Sequence, residues 1–80
     1  MVTLLYFASA RERAGVSSEK LELPGGATVR TLLDAVRLRH PAMAELLPRC
    51  RVAVDQSFAA ADEVIPEGAE VALIPPVAGG

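Results

Sequence analysis

Val2-Thr3-Leu4-Leu5-Tyr6-Phe7 opens the chain as a run of strand formers that is apolar at both parities. Successive side chains of a strand point to opposite faces, so Leu4 and Tyr6 have apolar surface to bury on one side, and Leu5 and Phe7 on the other. That is the pattern of a central strand. A second run of this kind, Val71-Ala72-Leu73-Ile74, stops at Pro75, which cannot donate to a ladder.

The segments between these runs alternate in kind. Ser9-Ala10-Arg11-Glu12 has capping-box spacing with Ser9 as the cap, and Gly15 is placed to end a short helical turn. Residues 19–23 alternate charge with leucine until Pro24-Gly25-Gly26, which predicts a half-buried edge strand returning antiparallel to the first. Thr28 can cap a helix whose apolar residues Val29, Leu32, Leu33 and Val36 follow the i, i+3, i+4, i+7 rule. Arg37, Arg39 and His40 gather in its last turn, where positive charge suits the helix dipole, and Pro41 blocks continuation. His40 reads as a helix terminator, because a general base needs a positioned partner and the sequence indicates none. An apolar turn around Met43, Leu46 and Leu47 leads to a third strand at residues 51–54. A weaker fourth strand at residues 56–60 contains Phe58, and residues 64–70, with Pro66 and Gly68, form the turn into the last strand.

The fold class is α+β, a five-stranded sheet with one main helix. One helix covers one face of a sheet, so the second face of a strand that is apolar on both sides lies open or meets a partner. If Val2, Leu4 and Tyr6 face the helix, Leu5 and Phe7 face away; Val71 and Leu73 then point in, and Ala72 and Ile74 out. Phe7 and Ile74 share the uncovered face, with Phe58 as a neighbour, and exposed apolar patches of this kind mark binding sites.

With 80 residues there is room for a single domain of modest stability. A hydrophobic fraction of 51% against 22% charged residues is that of a globular protein, and a net charge of −2 leaves no nucleic-acid footprint, so the partners are expected to be proteins. Cys50 is the single cysteine, which excludes an internal disulfide framework, fits a reducing compartment and reads as packed. Ala8-Ser9-Ala10 resembles a signal-peptide cleavage site, but no basic segment precedes it and its apolar run is short. No stretch is long and apolar enough for a membrane span, so a cytoplasmic location is expected, with no membrane, nucleic-acid or metal partner.

The chain ends Pro75-Pro76-Val77-Ala78-Gly79-Gly80. Two prolines hold φ near the polyproline value, so residues 75–80 are expected to extend from a domain spanning residues 1–80, reaching roughly 19 Å at about 3.1 Å per residue. Gly79 and Gly80 have no side chains, so a narrow channel can admit the backbone and present the carboxylate of Gly80 to a reactive centre. Ordinary frayed ends are polar, which does not account for Val77 beside two prolines. Pro24-Gly25-Gly26 has similar composition without a free carboxylate and reads as a turn.

Leu5-Tyr6-Phe7-Ala8 followed by Arg11-Glu12, the interior Ala53-Val54-Asp55, and Gly68-Ala69-Glu70-Val71-Ala72 running into the diglycine end together resemble the small subunits of molybdopterin synthase, members of the ubiquitin-like sulfur carriers. The chain departs from that pattern at Leu73-Ile74, where aromatics are frequent, at Ala69, where Asp is usual, and at Asp55, where Asn is common. The resemblance implies a ubiquitin-like β-grasp fold, with the first and last strands parallel at the centre of a mixed sheet that the main helix crosses. It implies that an adenylyltransferase resembling ubiquitin-activating enzyme consumes ATP to adenylate Gly80. A sulfur donor then converts it to a thiocarboxylate. The large subunit of molybdopterin synthase, assembled with this chain as a heterotetramer, takes that sulfur to cyclic pyranopterin monophosphate. Phe7, Arg11, Phe58 and Ile74 match partner-docking positions, and Pro75, Pro76, Val77 and Ala78 the leash; no cofactor is held stably. A carrier serving thiamin or amino-acid synthesis, a ubiquitin-like modifier, and a plain β-grasp binding module remain alternatives.

Overall fold

Why the chain needs two central strands is visible in how it pairs them. The computed structural model describes residues 1–76, and in it β1 (Val2–Tyr6) and β5 (Glu70–Ile74) lie side by side and parallel, with Leu4 opposite Val71 and Tyr6 opposite Leu73. A parallel pair cannot be joined by a tight turn; the crossover is carried by α2 (Val29–Arg39), after α1 (Ala8–Ala14) and β2 (Ser18–Leu21). Single 3-10 turns at Pro41–Met43 and Leu47–Arg49 lead into β3 (Arg51–Val54) and β4 (Ser57–Phe58). The order across the sheet is β2-β1-β5-β3-β4, with every pair except β1–β5 antiparallel. This is the mixed β-grasp sheet that the resemblance implies.

Period two sets the core. Val2, Leu4 and Tyr6 on β1 and Val71 and Leu73 on β5 are buried, while Leu5, Ala72 and Ile74 are only partly covered. Val29, Leu32 and Val36 of α2 meet them, and Ala10 of α1, Met43, Leu46 and Leu47 close the same layer. Burying a side chain of this size stabilises the fold by roughly 1.5–3 kcal/mol. The N-terminus of α2 is held by Thr28: its hydroxyl accepts from the backbone N–H of Thr31, and the hydroxyl of Thr31 accepts from the N–H of Thr28.

Four local expectations are corrected. Ser9 does not cap α1; the cap position is Phe7, without a side-chain bond, and α1 is a full short helix that turns Ala10 into the core. Strand parity decides this, because the helix must begin immediately after β1 for Ala10 to reach the core. Gly15 does end it, at φ 81°, with its N–H on the carbonyl of Arg11. The fourth strand, expected over residues 56–60, is only Ser57–Phe58: Asp55 and Gln56 both take positive φ (48° and 72°) and form the two-residue hairpin turn between Val54 and Ser57, and Ala59 and Ala60 lie outside the strand. β2 ends at Leu21, so Glu22 and Leu23 lie beyond the ladder. Pro75, expected to lie clear of the domain, is buried against it, whereas Pro76 is exposed. The expectations on Val77, Ala78, Gly79 and Gly80 lie outside the described residues.

Candidate functional site: the open face of the sheet

All the helices and 3-10 turns among the described residues that contribute buried side chains share one core layer, leaving the other face of the sheet without a second layer. Across that face the register sets Leu5 opposite Ala72, Ala72 opposite Ala53, and Ala53 opposite Phe58. Two alanines in the middle with larger side chains on either side make a trough of about 290 Å³, lined by Leu5, Phe7, Phe58 and Ile74 among others, with Gln56 and Glu70 at its polar end. Phe7 is 47% exposed and Phe58 57% exposed, so two aromatic residues leave about half their surface in water on this face.

The structure therefore brings together Phe7, Phe58 and Ile74, three of the residues singled out in the sequence. Arg11 stands apart from the trough walls. It is exposed one helical turn beyond Phe7, its backbone N–H 3.4 Å from the Phe7 carbonyl. Sequence reading did not nominate Ala53, Glu70 or Arg51 for this face. The signal was available in parity, since Arg51 and Ala53 share one side of β3 and Val52 and Val54 take the other. The guanidinium carbon of Arg51 lies 3.7 Å from the centroid of the Phe58 ring, a cation–π stack on the open face.

On the covered side a polar group was also missed. Glu19 of β2 accepts from the hydroxyl of Tyr6 and bonds Nε2 of His40, both at 2.5 Å, and Arg39 approaches its other oxygen at 3.5 Å. The Tyr6 and His40 rings meet edge-on. His40 thus ends α2, as its position beside Pro41 indicates, and has a partner that the sequence did not reveal. Burial pushes the Tyr6 hydroxyl well above its ordinary range, reinforced by the bond to Glu19 and its charge, against a smaller opposing effect of Arg39. Burial raises Glu19, but the hydrogen bonds from Tyr6 and His40 and the charges of His40 and Arg39 outweigh it and hold the carboxyl below its ordinary value. None of these groups lines the trough. Burial also raises the Cys50 thiol, keeping it protonated and a weak nucleophile. Among the described residues no cluster of His, Cys, Asp and Glu could hold a metal, and no helix is long and apolar enough to cross a membrane.

Residues 4–80 match the ThiS family. The chain belongs to that family. Over 99% of its length it is 38% identical to the molybdopterin synthase sulfur carrier subunit of Chlamydomonas reinhardtii, of which it covers 98%. Its fold superposes on a putative molybdopterin converting factor, subunit 1, of Pyrococcus furiosus with a TM-score of 0.88 at 34% identity, covering 95% of this chain and 97% of that one. Small archaeal modifier protein 1 of Haloferax volcanii gives a TM-score of 0.86 at 31% identity over 95% of this chain and 97% of that chain. This ThiS-family chain has the ubiquitin-like β-grasp fold.

Proposed function

We propose that this chain is the sulfur carrier of a molybdopterin synthase and that its working atom is the terminal carboxylate of Gly80. What carries the reading is likeness to sulfur carrier subunits over nearly the full chain, together with a Gly79-Gly80 end. A carboxylate is a poor electrophile. An adenylyltransferase partner resembling ubiquitin-activating enzyme joins a carboxylate oxygen of Gly80 to the α-phosphorus of ATP, and pyrophosphate leaves. Sulfide-level sulfur delivered by a donor then attacks the acyl carbon, the bond to AMP breaks with AMP as leaving group and a C–S bond forms, giving the thiocarboxylate.

The large subunit next takes the end into its own site and moves the sulfur to cyclic pyranopterin monophosphate in the cytoplasm. This chain supplies no acid or base. Its contribution is to dock through Phe7, Phe58 and Ile74, with Arg11 as a charged contact, and to deliver Pro76, Val77 and Ala78 with the glycines behind them.

The test is intact mass after incubation with the activating enzyme, ATP and a sulfur donor, where one oxygen is exchanged for one sulfur. Deleting Gly80, or appending one residue after it, abolishes loading with the melting temperature unchanged; loading that survives either change rejects the mechanism. A second reading, a protein modifier using the same activated glycine, draws on the likeness to the archaeal modifier protein. It predicts conjugates at lysines of other proteins, whereas the carrier reading predicts sulfur in the pterin.

A further inference from the structure

The trough is apolar in its middle and charged at both ends of β5. Glu70 begins that strand and lines one end of the trough; Arg51 lies opposite Ile74, at the other end, where the chain leaves the sheet. Along the strand the two stand four residue steps apart, roughly 13 Å. Among the described residues the ion pairs use the N-terminal amine, Arg37, Arg39 and His40, and none of them employs Arg51 or Glu70.

Arg51 is also held. Its guanidinium lies on the ring of Phe58, the next strand's residue on the same face, at 3.7 Å from the centroid. A surface arginine that swings freely loses its rotamer freedom when a partner fixes it. One already laid on an aromatic face has lost much of that freedom beforehand, and its remaining donors stay in the plane of the fork.

We propose that Arg51 is a specificity-determining residue of the docking face: stacked on Phe58, it meets a carboxylate of the partner protein, and with Glu70 as the opposite pole it fixes which way the partner lies along β5. This rests on the docking face assigned under the proposed function and names the chemistry of the surface that fits it. That surface is an apolar ridge with an acidic side chain over the exit of the chain and a basic one over the start of β5. An apolar trough alone admits a ridge in either direction. The reversed complex sets like charges against each other at both ends, which is unfavourable, and only the correct one points the C-terminal segment into the partner's cleft.

The experiment measures affinity for the cognate large subunit, at low and high salt, for the wild-type chain and the variants Phe7→Asp, Phe58→Ala, Arg51→Ala, Arg51→Glu, Arg51→Lys and Glu70→Arg, with the melting temperature of each as the check on folding. Arg51→Ala is expected to weaken binding about tenfold, Arg51→Glu further, and raised salt to narrow the gap between wild type and Arg51→Ala. Arg51→Ala and Phe58→Ala are expected to be less than additive when combined, since each removes the same held guanidinium. Arg51→Lys, which keeps the charge but not the fork, falls between wild type and alanine. Glu70→Arg and Arg51→Glu together are expected to bind no better than either alone, because the polarity is then reversed. If Phe7→Asp abolishes binding while Arg51→Ala and Arg51→Glu bind as wild type, the inference is overturned and the docking reading stands. Unchanged binding by Phe7→Asp rejects the docking reading itself.

Discussion

Tyr6 and Phe7 are neighbours in sequence, both aromatic, and meet opposite fates. Tyr6 is 2% exposed, its ring in the core and its hydroxyl bonded to Glu19; Phe7 is 47% exposed. The same division runs along both central strands, through Leu4 and Leu5 and through Leu73 and Ile74. Backbone and register are shared by the two faces of the sheet. What differs is the second layer, which α1, α2 and the 3-10 turns supply to one face only. The covered face converts apolar area into stability, and the open face leaves it partly in water.

The largest effect separating the faces is expected from truncating adjacent leucines. Leu4→Ala removes a fully buried side chain from a packed layer and costs about 3 kcal/mol, whereas Leu5→Ala, on the half-covered parity, costs under about 1 kcal/mol. Urea denaturation of both variants checks this. Equal losses mean that the open face is covered in solution, and the contrast drawn from the structure then fails.

Most of this division was legible from parity. Reading Val2, Leu4 and Tyr6 inward and Leu5 and Phe7 outward needs only the period of a strand and the presence of one main helix, and the same holds for Val71 to Ile74. Long-range register was not legible in that way. Nothing local to Ala53 announces that it will sit between Phe58 and Ala72, because a trough floor is made by strands distant in sequence. The partnership of Glu19 with His40 is hidden for the same reason, since it joins an edge strand to the end of a helix 21 residues away. The capping-box spacing at Ser9 misled because Ser and Glu three apart occur without a helix start between them. The stronger constraint was that α1 begin directly after β1.

The covered face also carries the pH dependence. Glu19 is held below its ordinary value, near 4.5, so its contribution is present above that pH and lost as pH falls through the folded-state value. Tyr6 is raised above its ordinary value of 10.0, so the unfolded chain ionises first; its contribution is present below about pH 10 and lost as pH rises further. Melting temperature against pH is therefore expected to show a plateau with a fall at each end. Glu19→Gln flattens the acid fall and costs about 1.5 kcal/mol at neutral pH, since it weakens hydrogen bonds to a charged group. Tyr6→Phe flattens the alkaline fall. Leu5→Ala shifts the whole curve slightly and changes neither limb; a changed limb in that variant couples the two faces and weakens their separation.

The smallest effect lies at the hinge between the faces. The chain passes from β1 into α1 at Ala8, whose φ of 49° is left-handed, and the Phe7 carbonyl accepts from the Ala10 N–H at 3.0 Å immediately beyond it. This turn lets Phe7 stay on the open face while Ala10, three residues later, is fully buried. A residue with a Cβ is strained there by about 1 kcal/mol, and glycine is not, though glycine also gives the unfolded chain more freedom. The balance for Ala8→Gly is a gain of about 0.5 kcal/mol, measured by urea denaturation. A loss of similar size instead means that Ala8 does not hold the left-handed conformation in solution. With the gain should come a slightly weaker hold on the proposed large-subunit partner, because a looser residue 8 leaves the direction of the Phe7 ring less fixed. If affinity and stability rise together, the strain at Ala8 has no part in presenting that ring, and Phe7 is aimed by the strand alone.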